Sequence, residues 1–220
     1  MKRKYPVRRD RMFAGMARAW KWARTFLAVA TVVFMAACGA ARPIKYYSMA
    51  ADARLASESH TPPLPVAMLI GHFTGAHLYR EDRIVFRSGS QLKTYDSHRW
   101  AEPPTEIVEN ILLTRLRASG HYRTVQSQRS NAHGDYVLRG RLENFEEVTG
   151  PPIVTRVTVA VELYEVKTGT TGWAHIYSGD EPVNGKTMDA VVEALHRNLS
   201  RGLDQILAGL DQYFAAHHDK

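Results

Sequence analysis

The stretch DYVLRGRL, residues 135–142, gives the strongest β-strand signal in this 220-residue chain. Its even-numbered positions are apolar or small, and Arg139 and Arg141 stand between them, which is the period-two pattern of a strand with one buried side. Residues 153–166 alternate in the same way, and a threonine- and glycine-rich turn leads into a third strand at residues 173–179. Three consecutive strands with short connections predict an antiparallel meander that has one buried and one solvent-facing side.

Two amphipathic helices are predicted to cover the buried side of this sheet. Apolar residues recur at four-residue spacing over residues 105–118, and Gly120 is placed to end that helix in a left-handed cap. A longer apolar stripe follows over residues 187–215. Gly202 and Gly209 lie along one edge of this stripe, and each costs about 1 kcal/mol relative to alanine in a helix interior. Either the glycines are tolerated defects, or the helix approaches the sheet or another subunit closely there.

The remaining segments complete an α+β prediction. Further strands are predicted at residues 44–49, 66–73, 83–87, 91–95 and 122–125, with 83–95 forming a hairpin and the proline-rich residues 50–65 forming a loop. We therefore predict one domain over residues 44–216, followed by a tail at 217–220. Its fold is a largely antiparallel sheet of six or seven strands with two helices packed on one face.

The N-terminal segment has the pattern of a secretory signal peptide. Thirteen apolar or small residues (TFLAVATVVFMAA, residues 25–37) follow a strongly basic start and precede Cys38, the only cysteine of the chain. This run is shorter than the roughly 20 residues that a membrane-spanning helix needs. Residues 35–38 (MAAC) resemble the lipobox of bacterial lipoproteins. The resemblance implies a signal peptide at residues 1–37, a lipid (palmitate) on Cys38, and a short tether at residues 38–43.

Other interpretations of this segment stay open. Cys38 is incidental if the segment is a non-lipidated signal peptide or a signal anchor. Arg8 and Arg9 raise twin-arginine export, although RRDRMF lacks the hydrophobic pair expected after the arginines. Among bacterial lipoproteins, aspartate directly after the cysteine favours retention in the inner membrane. Gly39 stands at that position, so the resemblance implies the outer membrane.

The basic character of the chain belongs to the targeting segment. The whole chain carries a formal charge of +7. Residues 1–37 hold nine Lys and Arg and one Asp, a net charge of +8, which leaves −1 for residues 38–220. No basic stripe remains in the mature chain for phosphate binding, so a nucleic-acid partner is not expected.

The sequence carries no pattern that predicts catalysis or metal binding. Ten histidines are present, but none lies in an HExxH or HxH arrangement, and a second cysteine is missing. No GxSxG elbow, P-loop or dinucleotide fingerprint occurs. Glu146 and Glu147 are adjacent in a predicted strand, so their side chains should point to opposite faces rather than act on one substrate. We predict no enzyme, no metal and no cofactor beyond the lipid on Cys38.

Four segments, by their order and spacing, resemble the ABC-type transport auxiliary lipoprotein family, which includes the paraquat-inducible protein C type. They are YDSHRWAEPP at residues 95–104, KYYSM at 45–49, the Ser-Gly at 119–120 that ends a helix, and the strand from 135 to Phe145. The resemblance implies a non-catalytic periplasmic component anchored in the outer membrane. Its partners would be an MCE-type (mammalian cell entry) substrate-binding protein and an ABC transporter that moves lipids or other hydrophobic molecules. Some family members form rings.

Within the first of these segments, Tyr95, His98, Arg99 and Trp100 are the candidate partner-binding residues. Tyrosine and tryptophan are favoured interface anchors. Trp100 has a second interpretation, as a core residue that packs where the loop meets the following helix. Two other functions also remain open: a lipoprotein that binds a hydrophobic ligand directly between helix and sheet, and an envelope-assembly lipoprotein unrelated to transport.

Overall fold

In a computed structural model, which describes residues 43–50 and 63–217, eight strands form one mixed sheet and two helices cover one of its sides. The described residues from Ile44 onward belong to one compact unit, Ile44–Lys220. The elements are β1 Lys45–Tyr47, β2 Leu64–Gly75, β3 Arg83–Ser88, β4 Gln91–Trp100, α1 Pro104–Ser119, β5 Tyr122–Ser127, β6 Tyr136–Val148, β7 Val154–Glu165, β8 Thr170–Pro182 and α2 Met188–His217. The predicted signal peptide, Cys38 and most of the tether lie outside the described residues.

Strand β6, which contains the stretch at residues 135–142, is the centre of the sheet. One of its edges pairs with β7 in antiparallel fashion over the whole strand, and β7 pairs in the same way with β8. The other edge pairs first with β2 and then with β3, both in parallel. β5 adds in parallel to β2, β4 adds antiparallel to β3, and β1 adds in parallel to β4. The predicted meander of three strands and the hairpin are both confirmed.

The prediction of a largely antiparallel sheet of six or seven strands is wrong in two respects. The described residues contain eight strands, and four of the seven pairings are parallel. The cause is that β2 and β3 run in the same direction along one edge of β6, joined through a short 3-10 turn at His77–Tyr79. Parallel pairing needs a crossover connection. The link between β2 and β5 contains the β3–β4 hairpin and α1, a distance over which local periodicity carries no information.

Both helices occur where the apolar periodicity predicts them, and they share one core. α1 ends at Gly120, whose φ of 66° is the left-handed cap conformation that glycine adopts without strain. Arg115 on α1 donates to the Ser200 carbonyl oxygen at 3.2 Å and to Asp204 at 2.9 Å on α2. Because the helices touch each other and bury their stripes in the same cluster, the prediction that they pack on one face of the sheet is confirmed.

The two glycines of α2 mark a close approach to β8 and are not tolerated defects. A Cβ atom on Gly202 would lie 2.8 Å from Tyr177 Cγ, and one on Gly209 would lie 2.7 Å from Trp173 Cζ2. Asn198, which is fully buried one turn before Gly202, fixes the same contact. It accepts a hydrogen bond from the Tyr177 hydroxyl at 2.6 Å. The two glycines therefore allow α2 to pack closely against the sheet.

Candidate functional site

A bulge in β4 places two of the predicted site residues in one cleft. Val85 of β3 pairs with Thr94 of β4 and Arg83 pairs with Arg99, so two steps along β3 correspond to five along β4. Such irregularities change which side chains share a face of the strand and recur near functional sites. Here the bulge brings Tyr95 and His98 to the same cleft, although they are three residues apart.

This cleft has a volume of about 370 Å³ and lies between β4, the end of β6 and the start of α2. We call it the β4–α2 cleft. Its polar lining is formed by Tyr95, His98, Glu147, Lys186 and Thr187, and its apolar lining by Ile153, Val183, Met188 and Val191. An apolar pocket with a few convergent polar groups is the usual form of a small-ligand site. It is therefore the strongest candidate site in the part of the chain that the structure describes.

Aromatic rings and two hydrogen bonds hold the β4 side of the cleft. The Tyr95 hydroxyl donates to Glu147 Oε2 at 2.7 Å, and the Tyr47 hydroxyl lies 3.0 Å from His98 Nδ1. The Tyr95 ring stands edge-on to His98, with centroids 6.0 Å apart, and packs on Phe86 at 4.7 Å. Burial raises the pKa of Tyr95, and the hydrogen bond to Glu147 raises it further. Tyr95 is therefore a neutral donor at physiological pH.

The adjacent acids Glu146 and Glu147 point in different directions, as their position in a strand predicts. Glu146 is fully buried, accepts a hydrogen bond from the Tyr79 hydroxyl, and accepts another from Arg87 Nε at 2.6 Å. Hydrogen bonding to Glu146 is the main reason why the pKa of Arg87 is raised. Glu147 is 5 % exposed and lines the cleft. Within residues 43–50 and 63–217, Tyr95 is its hydrogen-bonding partner and no ion pair involves it.

Arg99 and Trp100 lie outside the cleft. Arg99 donates to Asp82 at 2.9 Å and forms an ion pair with it. Trp100 is 1 % exposed and packs against Phe145, with ring centroids 5.6 Å apart. The core-packing interpretation of Trp100 is therefore the one that the structure supports, since a buried ring offers almost no surface to a partner. Partner binding by Tyr95, His98 and Arg99 stays a prediction.

Sequence reasoning did not identify the other half of the cleft. Ile153 falls in a predicted strand, Met188 and Val191 fall in the apolar stripe of the predicted second helix, and Glu147 stands out only as one of two adjacent acids. One feature could have indicated the site: Glu147 is an acidic residue at a buried position of its strand, next to other buried positions. No local pattern indicated that the start of α2 would meet the bulge of β4.

A second surface lies on the side of the sheet away from the helices, which we call the open side. A groove of about 530 Å³ crosses four strands there. The pairing register aligns Thr74, Arg141, Ala160 and Ile176 in one row across β2, β6, β7 and β8. Ile176 is 67 % exposed. The open side thus combines an apolar floor with charged walls, a surface suited to protein contact.

Residues 43–50 and 63–217 hold no cluster of three or more His, Cys, Asp or Glu side chains that could bind a metal ion. In the same residues, no helix is both long and apolar enough to cross a membrane.

Comparison with known proteins gives one family and several similar folds. The model of a family described as "ABC-type transport auxiliary lipoprotein component" matches residues 47–207. No curated protein matches. A Xanthomonas campestris protein of the DUF330 family is 18 % identical at a TM-score of 0.67, covering 80 % of this chain and 98 % of its own. An uncharacterised protein is 16 % identical at a TM-score of 0.56, covering 74 % and 96 %. At such low identity, the two structural matches show a shared fold and nothing about activity.

Proposed function

Since the chain belongs to the ABC-type transport auxiliary lipoprotein family, we propose that it is a non-catalytic docking component of an ABC transport system, held at the outer membrane by lipid on Cys38. The observation that carries the proposal is the extent of the family match, residues 47–207, which spans β1 to the middle of α2. The transport association therefore rests on most of the folded domain and not on a short motif.

The proposed partner is the MCE-type substrate-binding protein of such a system, and the proposed cargo is lipid or another hydrophobic molecule. Two surfaces are suited to docking: the open side with its exposed Ile176, and the β4–α2 cleft with Tyr95 and His98. Exposed apolar surface rimmed by polar residues is typical of protein-binding sites. Assembly into a ring of identical subunits belongs to the same proposal.

Hydrogen bonds hold two polar side chains of the cleft in place. The His98 ring nitrogen Nδ1 and the Tyr95 hydroxyl are each engaged by a neighbouring side chain, Tyr47 and Glu147 respectively. Here the hydrogen bonds connect β1 to β4 and β4 to β6, which indicates a role in holding strands together.

Direct binding of a hydrophobic ligand is the second candidate function, and one observation favours it. The β4–α2 cleft has an apolar wall where α2 begins, formed by Met188 and Val191. Further along α2, buried side chains such as Leu195 and Leu199 fill the space between helix and sheet. A ligand between helix and sheet would therefore occupy the cleft.

Localisation is tested with matched substitutions beside the anchor. In the native host, the wild-type chain should sediment with outer-membrane vesicles in a density gradient. Cys38→Ser should abolish lipidation and membrane association, whereas Gly39→Asp should preserve lipidation and shift the protein to the inner-membrane fraction. A Cys38→Ser protein that remains as membrane-bound as wild type would refute the anchor.

Docking is tested by crosslinking and affinity purification of the lipidated protein from intact cells. An MCE-type protein and ABC subunits should be recovered with the wild-type chain. Surface substitutions such as Ile176→Asp should reduce recovery without unfolding the domain, because Ile176 is 67 % exposed. Recovery of a monomer that carries bound lipid and no transport subunits would favour the second candidate function instead.

A further inference from the structure

The β4–α2 cleft contains a buried carboxylate, Glu147, that forms no ion pair with any of the described residues. Glu147 is 5 % exposed, and its neighbour Glu146 is fully buried. Glu146 is matched by Arg87 at 2.6 Å, whereas Glu147 has only the neutral Tyr95 hydroxyl at 2.7 Å among the described residues. Burying a carboxylate without a compensating cation is costly, and such groups are normally paired. Glu147 therefore lacks an ion-pair partner within the described part of the chain.

The walls around Glu147 have the composition that recognises organic cations. Tyr95 and His98 both line the cleft, and their aromatic rings lie 6.0 Å apart and nearly perpendicular. Aromatic faces attract ammonium groups, and cages of such rings bind alkylated ammonium ions. Ile153 and Met188 add an apolar wall beside them. A carboxylate, aromatic rings and an aliphatic wall together match a cation that carries a short hydrocarbon chain.

We propose that the β4–α2 cleft is a binding site for an alkylammonium group, with Glu147 as the counter-charge. The ammonium ion contacts the Glu147 carboxylate and the Tyr95 ring, and its hydrocarbon part lies against Met188 and Ile153. This chemistry is found both in aminophospholipid headgroups and in free amines. The site stands independently of the proposed transport role, since it follows from the cleft alone.

One lysine of the chain lines the same cleft and acts as an internal competitor. Lys186 belongs to the exposed turn before α2, and its ammonium group forms no ion pair with Glu147 among the described residues. In the proposed site, Lys186 competes with an external ammonium ion for the same carboxylate. Removing Lys186 should therefore strengthen binding of an external ammonium ion, which a purely structural role of Glu147 does not predict.

The test uses the full-length lipidated protein in phosphatidylglycerol nanodiscs, titrated with n-butylammonium in a calorimeter, with empty discs as the blank. Saturable binding is expected, with butyrate giving none. Glu147→Gln should weaken binding roughly tenfold or more, because charge-assisted hydrogen bonds are the strong ones. Glu143→Gln, at an exposed position of the same strand, should leave it unchanged. Lys186→Ala should tighten it.

Equal binding of butylammonium and butyrate would overturn the proposal, as would unchanged affinity in a folded Glu147→Gln protein, or in Lys186→Ala if Glu147→Gln does not fold. Lys186 is exposed, so its variant remains informative even if Glu147→Gln fails to fold. The source of the ammonium group is separated by adding phosphatidylethanolamine to the discs. A lower apparent affinity for butylammonium identifies the lipid headgroup as the competitor, and an unchanged affinity assigns the site to a soluble amine.

Discussion

Replacing Gly202 by alanine tests how tightly α2 is locked onto β8. An added Cβ would lie 2.7 Å from Tyr177 Cε1 and 2.8 Å from Cγ, well inside van der Waals contact. The ring has little freedom to withdraw, because its hydroxyl donates to Asn198 at 2.6 Å. Asn198 in turn donates to the carbonyl oxygens of Thr155 and Gly179, at 3.0 and 2.9 Å. The new methyl group must therefore push the helix and the sheet apart.

Two effects of opposite sign determine the change in stability. In a helix interior, the helix propensity of alanine stabilises the folded state by about 1 kcal/mol relative to glycine. Overpacking a well-packed core costs about 1–3 kcal/mol, and the locked ring places this site at the upper end. The expected net effect of Gly202→Ala is therefore a loss of about 1–2 kcal/mol in the free energy of unfolding, measured by urea denaturation.

The controls separate steric conflict from helix propensity. Gln205→Ala, at an exposed position of α2, should change stability by less than about 0.5 kcal/mol. In a Tyr177→Ala background the ring is gone, so Gly202→Ala should become stabilising, and the two substitutions should be strongly non-additive. A stabilising Gly202→Ala in the otherwise wild-type chain would refute the close-approach argument.

Trp100→Ala should cost about 3–5 kcal/mol in unfolding free energy, whereas Trp100→Phe should cost much less because it keeps the ring contact with Phe145; equal losses would contradict the packing role. Stability should also fall as the pH rises above about 10, the ordinary pKa of tyrosine. Burial raises the pKa of Tyr79, Tyr95 and Tyr122, so these residues stay neutral in the folded protein while the unfolded chain ionises. Urea midpoints that are unchanged between about pH 8 and pH 11 would disprove this.

Local pattern was sufficient for most elements of the fold. The four-residue spacing of apolar side chains predicted both helices, and Gly120 marked the end of α1 through its need for a positive φ. Alternation predicted β6 and β7, whose pairing is antiparallel and local in sequence. Each of these features depends on interactions within a few residues or across a short turn, and such interactions leave a periodic trace in the sequence.

The parallel half of the sheet left no comparable trace. The strand predicted at residues 66–73 is present as β2, which lies between β5 and β6. Its partners could not be inferred, because they are separated from it by a hairpin, a helix and a loop. The bulge between Thr94 and Arg99 was also missed, and the prediction ended that strand at Tyr95. The cleft depends on both features, which explains why only Tyr95 and His98 of its lining are predicted as site residues.

Glu146 and Glu147 show how far the argument from alternation extends. Their adjacency in a strand correctly excluded a shared substrate, because one side chain meets Arg87 and the other enters the cleft. Alternation does not indicate which of the two carboxylates is paired with a cation. That depends on β3, whose Arg87 lies beside Glu146 and not beside Glu147. A paired buried acid serves stability, whereas an unpaired one lowers it unless a ligand supplies the missing charge. The unpaired acid is therefore the residue of the two in which a binding function should be sought.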